Sequence, residues 1–326
     1  MIKNIRNKLI ELRLQISIFG VLLIIFAAFI IGNPKTFLSY NIYYAFMSVI
    51  PFTMILATSV TLVVILGEID LSFPSIVGFC GWIFGAVYNQ IGNIYLAFLT
   101  SLVVGLIAGS MNGFIIVKTG IPAIITTIGT MYMWRGLVYI CSHGVGMSLT
   151  SAKDTVLYKV LVGRIGGEVP AHAIWAIVIA ILFALILNRH KFGAHVLLIG
   201  DNKESAKMMG VNVDRVRIIV FAQFGLFAAF VGIITCLEVL FFWTTTGEGY
   251  LMRTLASVFI GGTSVYGGVG TIFGSIIGSI IMGSLDAGII SAGLSGFLTQ
   301  FISGILIVLS LIVYKYINKK TGLDRS

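Results

Sequence analysis

Residues 43–66 read YYAFMSVIPFTMILATSVTLVVIL, a run without one charged side chain. An α-helix needs about 20 apolar residues to cross the ~30 Å hydrocarbon core of a bilayer, and this run supplies them. Lipid offers the backbone no hydrogen-bonding partner, so such a run has to be helical. Outward from it, six further apolar runs lie at about 16–32, 74–91, 94–117, 121–141, 171–188 and 218–241, and three more at about 252–267, 270–291 and 295–315. The chain therefore reads as an all-α polytopic membrane protein with about ten transmembrane helices, forming a single domain over residues 1–326. Its composition agrees: 58% of residues are apolar and only 10% charged, with a mean hydropathy of +1.05, whereas a soluble domain carries roughly a quarter charged residues. Glycine-rich joints blur the last divisions, and several of these helices are candidates for broken or re-entrant segments.

The formal charge of +9 is gathered in short clusters between apolar runs. That is the pattern of cytoplasmic loops and tails, so nucleic acid is not the implied partner. Lys3, Arg6, Lys8 and Arg13 precede the first run, while Lys315, Lys319, Lys320 and Arg325 follow the last. Residues 1–15 and 316–326 are thus expected in the cytoplasm, together with 189–217, which holds Arg189, Lys191, Lys203, Lys207, Arg215 and Arg217. The segment 142–171 falls on the opposite side although it contains Lys153, Lys159 and Arg164, the one discord in the count. Trp175 and Trp243 fit an aromatic belt there. The first run lacks an Ala-x-Ala site and reads as an uncleaved span. Cys80, Cys141 and Cys236 show no spacing for a metal or a disulfide framework.

Gly109-Ser110-Met111-Asn112 is echoed by Gly283-Ser284-Leu285-Asp286, and Gly120–Thr126 by Gly293–Thr299 with a one-residue gap. Span four then matches span nine, and five matches ten. An offset of five spans makes the two halves run in opposite directions, the inverted repeat that transporters use to alternate access. Chance similarity between glycine-rich packing helices is the competing explanation.

The segment from Gly200 to Gly210 reads as a short helix, with Asp201 as its cap, Glu204 in capping-box position and Gly210 at its end. Ala206 and Met209 are expected on one face, where a small residue and an adaptable one suit docking into a partner. Glu204-Ser205-Ala206-x-x-x-Gly210 resembles the Glu-Ala-Ala loop of ABC importer permeases. The surrounding Ile199-Gly200-Asp201-Asn202 and Gly210-Val211-Asn212-Val213 resemble the ribose-type sugar permeases. Gly67-Glu68-Ile69-Asp70-Leu71-Ser72 is similar to that family's Gly-Gly-Ile-Asp-Leu-Ser. Gly247-Glu248-Gly249-Tyr250, then Ile260-Gly261-Gly262-Thr263-Ser264, continue the likeness. Glu68 and Phe73-Pro74 depart from the family pattern, and Pro74 is placed to begin a helix, where its missing N–H is harmless.

The resemblance implies a type II ABC importer-like permease in a bacterial inner membrane. It also implies Asp201, Asn202, Glu204, Ala206, Met209 and Gly210 as the surface that meets a cytoplasmic ATPase subunit, which holds ATP-Mg while this chain holds no cofactor. An extracytoplasmic sugar-binding protein and a second permease copy, identical or paralogous, complete the expected assembly.

Asn112 and Asp286 sit in apolar surroundings at matching repeat positions, where a polar group either lines a route or braces helices. Glu68 and Asp70 stand at a break near the cytoplasmic face, where capping or coupling is the plainer role. The run Gly261–Gly274 has no following Gly-Lys-Ser/Thr, so close packing rather than phosphate binding is expected. Gly293-Leu294-Ser295-Gly296 has the look of an intramembrane serine protease, but His143, His172, His190 and His195 all precede it. The function expected is import of a ribose-like pentose or other monosaccharide without covalent chemistry. A nucleoside or another small polar metabolite is the alternative cargo, and an ion-coupled secondary transporter the alternative class.

Overall fold

The computed structural model describes residues 2–291 and, beyond them, Leu298, Phe301, Ile302, Gly304, Ile305 and Val308; side chains are described from Gln15 onward, with 286, 287, 290 and 291 outside that set. The basic leader and first apolar run share one helix, α1 (Ile2–Gly32), followed by a single turn, α2 (Pro34–Phe37), capped by Asn33. Then come α3 (Tyr40–Ile65), α4 (Phe73–Ile91), α5 (Ile94–Thr119) and α6 (Ala123–Ser142). A short strand β1 (Met147–Ser148), a 3-10 turn, α7 (Val156–Leu161) and the hairpin β2 (Arg164–Ile165) and β3 (Val169–Pro170) lead to α8 (Ala171–Arg189). Next are α9 (Lys191–Asp201), α10 (Lys203–Met208), α11 (Val213–Val239), β4 (Phe241–Phe242), α12 (Tyr250–Ile260) and α13 (Ile272–Ser291).

Local chemistry sets several of these ends. Asn93 accepts from the amides of Tyr95 and Leu96 at 3.0 and 3.1 Å to start α5, the side-chain cap that satisfies orphan N–H groups. Pro74 does occupy the first turn of α4. Among the described residues, five helices are long and apolar enough to cross a membrane: Gln15–Gly32, Tyr40–Ile65, Ile94–Thr119, Ala171–Arg189 and Val213–Val239. Helices α4 and α6 have comparable length, 19 and 20 residues. The eighth expected span is corrected: its helix is α12, of 11 residues, about 16 Å long, and 261–271 is irregular backbone. The tenth, at 295–315, lies almost wholly outside the described residues, as does the repeat match at Gly293–Thr299.

Helix α3 is the axis of the bundle, buried from Ile50 to Ile65. Around it α11 lies very close to α5. A Cβ added at Gly109 would stand 2.2 Å from the Phe221 carbonyl oxygen, and one at Gly225 equally close to that of Gly105. Glycines four residues apart let the two backbones touch, since apolar side chains gain little from leaving lipid. The same device joins α12 to α13, where Gly278 abuts the Ser257 carbonyl and Gly261 abuts Gly274. The glycine-rich run thus serves packing.

At the end of the bundle carrying α7, β1 pairs antiparallel with β4. Arg164 there grips Glu238 of α11 through two nitrogens and donates from Nε to Tyr44 Oη at 2.7 Å. Its charge is therefore matched within the chain, which lessens the discord noted for 142–171. The His172 ring stacks on Phe52, with centroids 4.9 Å apart.

Candidate functional site

At the opposite end of the bundle, α9 and α10 form a surface whose cap differs from the sequence expectation. Asn202, not Asp201, accepts the Ser205 amide at 2.8 Å and starts α10, while Asp201 ends α9. The two adjacent residues are both good caps, and spacing alone does not choose between them. Glu204 consequently sits one position early for a capping box and pairs with Lys207 at 3.1 Å. Ala206 is fully buried, whereas Met208 and Met209 are 84% and 59% exposed. Ala206 and Met209 therefore do not share one docking face; alanine seats the helix on the bundle and the methionines point away from it. Gly210 closes α10 at φ +81°, its amide donating to the Lys207 carbonyl at 2.9 Å.

Behind this surface four glycines from three segments meet. A Cβ at Gly200 would stand 1.8 Å from the Ile65 carbonyl oxygen and 2.6 Å from the Gly268 nitrogen, and the Gly268 amide donates to that same carbonyl at 2.8 Å. A Cβ at Gly267 would stand 2.8 Å from the nitrogen of Gly67, whose φ is +79°. The end of α9 is thus in backbone contact with the end of α3 and with the turn after α12. Gly261, Gly262, Thr263 and Ser264 begin that turn, with the Ser264 amide on the Val269 carbonyl at 2.9 Å and both hydroxyl residues buried.

From Gly67 the chain runs without helix to Ser72 and enters the bundle, reaching the middle of α11, where Phe73 packs on Phe224 at 5.1 Å. Irregular backbone is tolerated at such depth only when protein supplies its partners. It does so here. Asp70 accepts from the Ser72 amide and hydroxyl at 2.7 and 2.6 Å, and Asn112 Nδ2 donates to Ser72 Oγ at 2.7 Å and Asp70 Oδ2 at 3.3 Å. Thr127 Oγ1 accepts from the Leu71 amide at 3.1 Å and donates to the Ile69 carbonyl at 3.3 Å. Glu68 is held by Arg217, near the start of α11, with both side chains nearly buried.

One expectation changes accordingly. Asp70 is enclosed within the bundle and does not lie at its surface. Asn112 has no exposed surface in the single chain, and its amide braces the break. Asp286 lies in α13, and its side chain is outside the described set.

A second break enters from the α7 end, between β4 and α12. Arg135 of α6 holds it: Nη1 donates to the carbonyls of Thr244 and Thr246 at 2.9 and 3.1 Å, and Nη2 to that of Pro74 at 3.2 Å. A carboxylate stands near Arg135 only at a distance, with Glu248 at 4.0 Å. Sequence reading did not find Thr127 or the Arg217 partnership. Only the charge at Glu68, where the resembling family has glycine, hinted at the latter.

Helices that cross lipid, two irregular segments entering from opposite ends, and an exposed short helix tied to one of them define a membrane transport permease. The chain belongs to the family described as branched-chain amino acid transport system / permease component, whose model matches residues 42–311. It is 33% identical over 263 residues to the autoinducer 2 import system permease protein LsrC of Photorhabdus luminescens, covering 79% of this chain and 77% of that one. It is 32% identical over 267 residues to the same-named protein of Yersinia enterocolitica, covering 80% and 71%. The LsrC of Yersinia pseudotuberculosis is likewise 32% identical, with 80% and 73% covered.

Proposed function

We propose that this chain is the membrane-spanning subunit of an ATP-driven importer for a small polyhydroxylated solute, a monosaccharide or a sugar-like signal such as the one its relatives are named for. The observation that carries the reading is α10: a capped helix, exposed except at Ala206, joined by the short turn 209–212 to α11 and its Arg217–Glu68 pair. A nucleotide-dependent partner that grips α10 differently in its two states would shift the break between α3 and α4, because a partner moves an equilibrium by its differential affinity. ATP-Mg belongs on that partner.

The basic clusters at both chain ends and in 189–217 put these segments in the cytoplasm under the positive-inside rule. The α7 end then faces outward and receives cargo from a soluble binding protein. Breaks that enter from opposite ends support an inverted repeat, and an even count near ten spans keeps both termini inside. Two copies, identical or paralogous, would flank the path in the inner membrane.

Reconstitution tests this. Proteoliposomes holding the chain, its ATPase and its binding protein are expected to take up tritiated ribose or autoinducer 2 only with Mg-ATP. Uptake by the chain alone under an ion gradient would make it a secondary carrier instead.

A further inference from the structure

The segment between β4 and α12 descends beside α4. Phe242 lies against Gly81, the Thr246 carbonyl covers Gly78 and Gly247 covers Pro74, a fall of about 10 Å at 1.5 Å per residue. At its foot Glu248 turns away from the chain. Its side chain is 53% exposed, Oε1 accepts from Tyr139 Oη at 3.4 Å and stands 4.0 Å from Arg135 Nη1. Because Arg135 already donates to three carbonyls, it is fixed in place and leaves the outward side of the carboxylate open. Tyr139 beside it is 42% exposed, and in the segment leading to Glu248 Trp243 and Thr245 are exposed as well.

This patch lies on the flank of α6, within a helix that is otherwise apolar on its open side. Ionisable groups at that depth face a bundle interior or a water-filled cavity rather than acyl chains. A carboxylate beside a phenol is also the chemistry that holds a polyol: oxygens that accept from hydroxyls, and an aromatic face for the C–H side of the ring.

Resting on the importer reading above, we propose that Glu248, positioned by Arg135 and joined by Tyr139, is a hydroxyl-binding point of the translocation path, met by solute entering from the α7 end. Its carboxylate accepts solute hydroxyls, and no bond is made or broken.

Thiol accessibility in the full complex tests it. Cys80 and Cys236 are buried, so a Cys141→Ser background leaves an introduced cysteine as the reactive one. With a membrane-impermeant methanethiosulfonate, Glu248→Cys is expected to label from outside in one nucleotide state, whereas Ile181→Cys, exposed on α8, does not. Ribose- or autoinducer 2-loaded binding protein should slow that labelling. Glu248→Gln should raise the KM for uptake about tenfold, the effect of losing a charge-assisted hydrogen bond, while the ATPase still copurifies. A Glu248→Cys as inert as Ile181→Cys in every nucleotide state overturns the proposal. So does a Glu248→Gln chain with unchanged KM. Failure of the importer reading is separate, since it is scored on the unlabelled parent by ATP-independent uptake.

Discussion

Asn112 shows how one amide holds a broken helix together. Its nitrogen reaches both Ser72 and Asp70, adding to the Ser72 amide and hydroxyl from which Asp70 already accepts. Asn112→Leu keeps the volume but leaves a buried carboxylate and hydroxyl short of a partner, a loss of about 1–3 kcal/mol. A lower melting temperature of the detergent-purified chain is the expected readout, and an unchanged one would remove Asn112 from the brace. At the exposed end the logic reverses. Met208 touches solvent over most of its surface, so Met208→Ser should leave melting unaltered and weaken copurification of the ATPase. Gly210 holds a left-handed φ of +81°, where a side chain costs roughly 1–2 kcal/mol, so Gly210→Val should disturb the end of α10 and lower uptake per ATP hydrolysed.

Among elements, the joint between α11 and the α3–α4 break is the one through which motion at α10 would pass. Glu68 and Arg217 are nearly buried together, and removing one partner strands the other, typically about 3–5 kcal/mol. Arg217→Met is therefore expected to destabilise strongly, and Glu68→Met with Arg217→Met to recover most of the loss, as thermal unfolding in detergent would show. If the pair also transmits motion, the stable double variant should still hydrolyse ATP while importing poorly; full import would confine the pair to stability. The contact of α5 with α11 has no such redundancy. Gly225→Val would push a side chain into the Gly105 carbonyl, and loss of folded material on size-exclusion chromatography is expected.

Over the whole molecule, one break opens toward α10 and the other toward α7, with Pro74 and Gly247 in contact between them. A bundle entered from both ends but built on a continuous α3 axis has two natural hinges, which is what alternating access asks of a permease. The flank bearing Glu248, Tyr139 and Trp243 is open in the single chain. Cross-linking in native membranes should accordingly trap two permease copies with the ATPase, and a solitary chain would contradict the assembly.

The crossing helices and the short α10 were legible because each obeys a local rule: lipid forces a long apolar run to close its own hydrogen bonds, and a cap residue marks where a helix starts. Even there the cap slipped by one residue, since Asp201 and Asn202 satisfy the rule equally. Glycine spacing likewise announced close packing. What only the tertiary structure decided is which distant groups meet: Arg217 with Glu68 across 149 positions, Arg135 with carbonyls more than 100 residues away, Asn112 with Ser72 at the break. It also decided that α12 stops at 11 residues. Periodicity reports which face of a helix is apolar, but the partner of a buried polar group depends on the depth and rotation at which helices dock, and contacts between distant backbones set those.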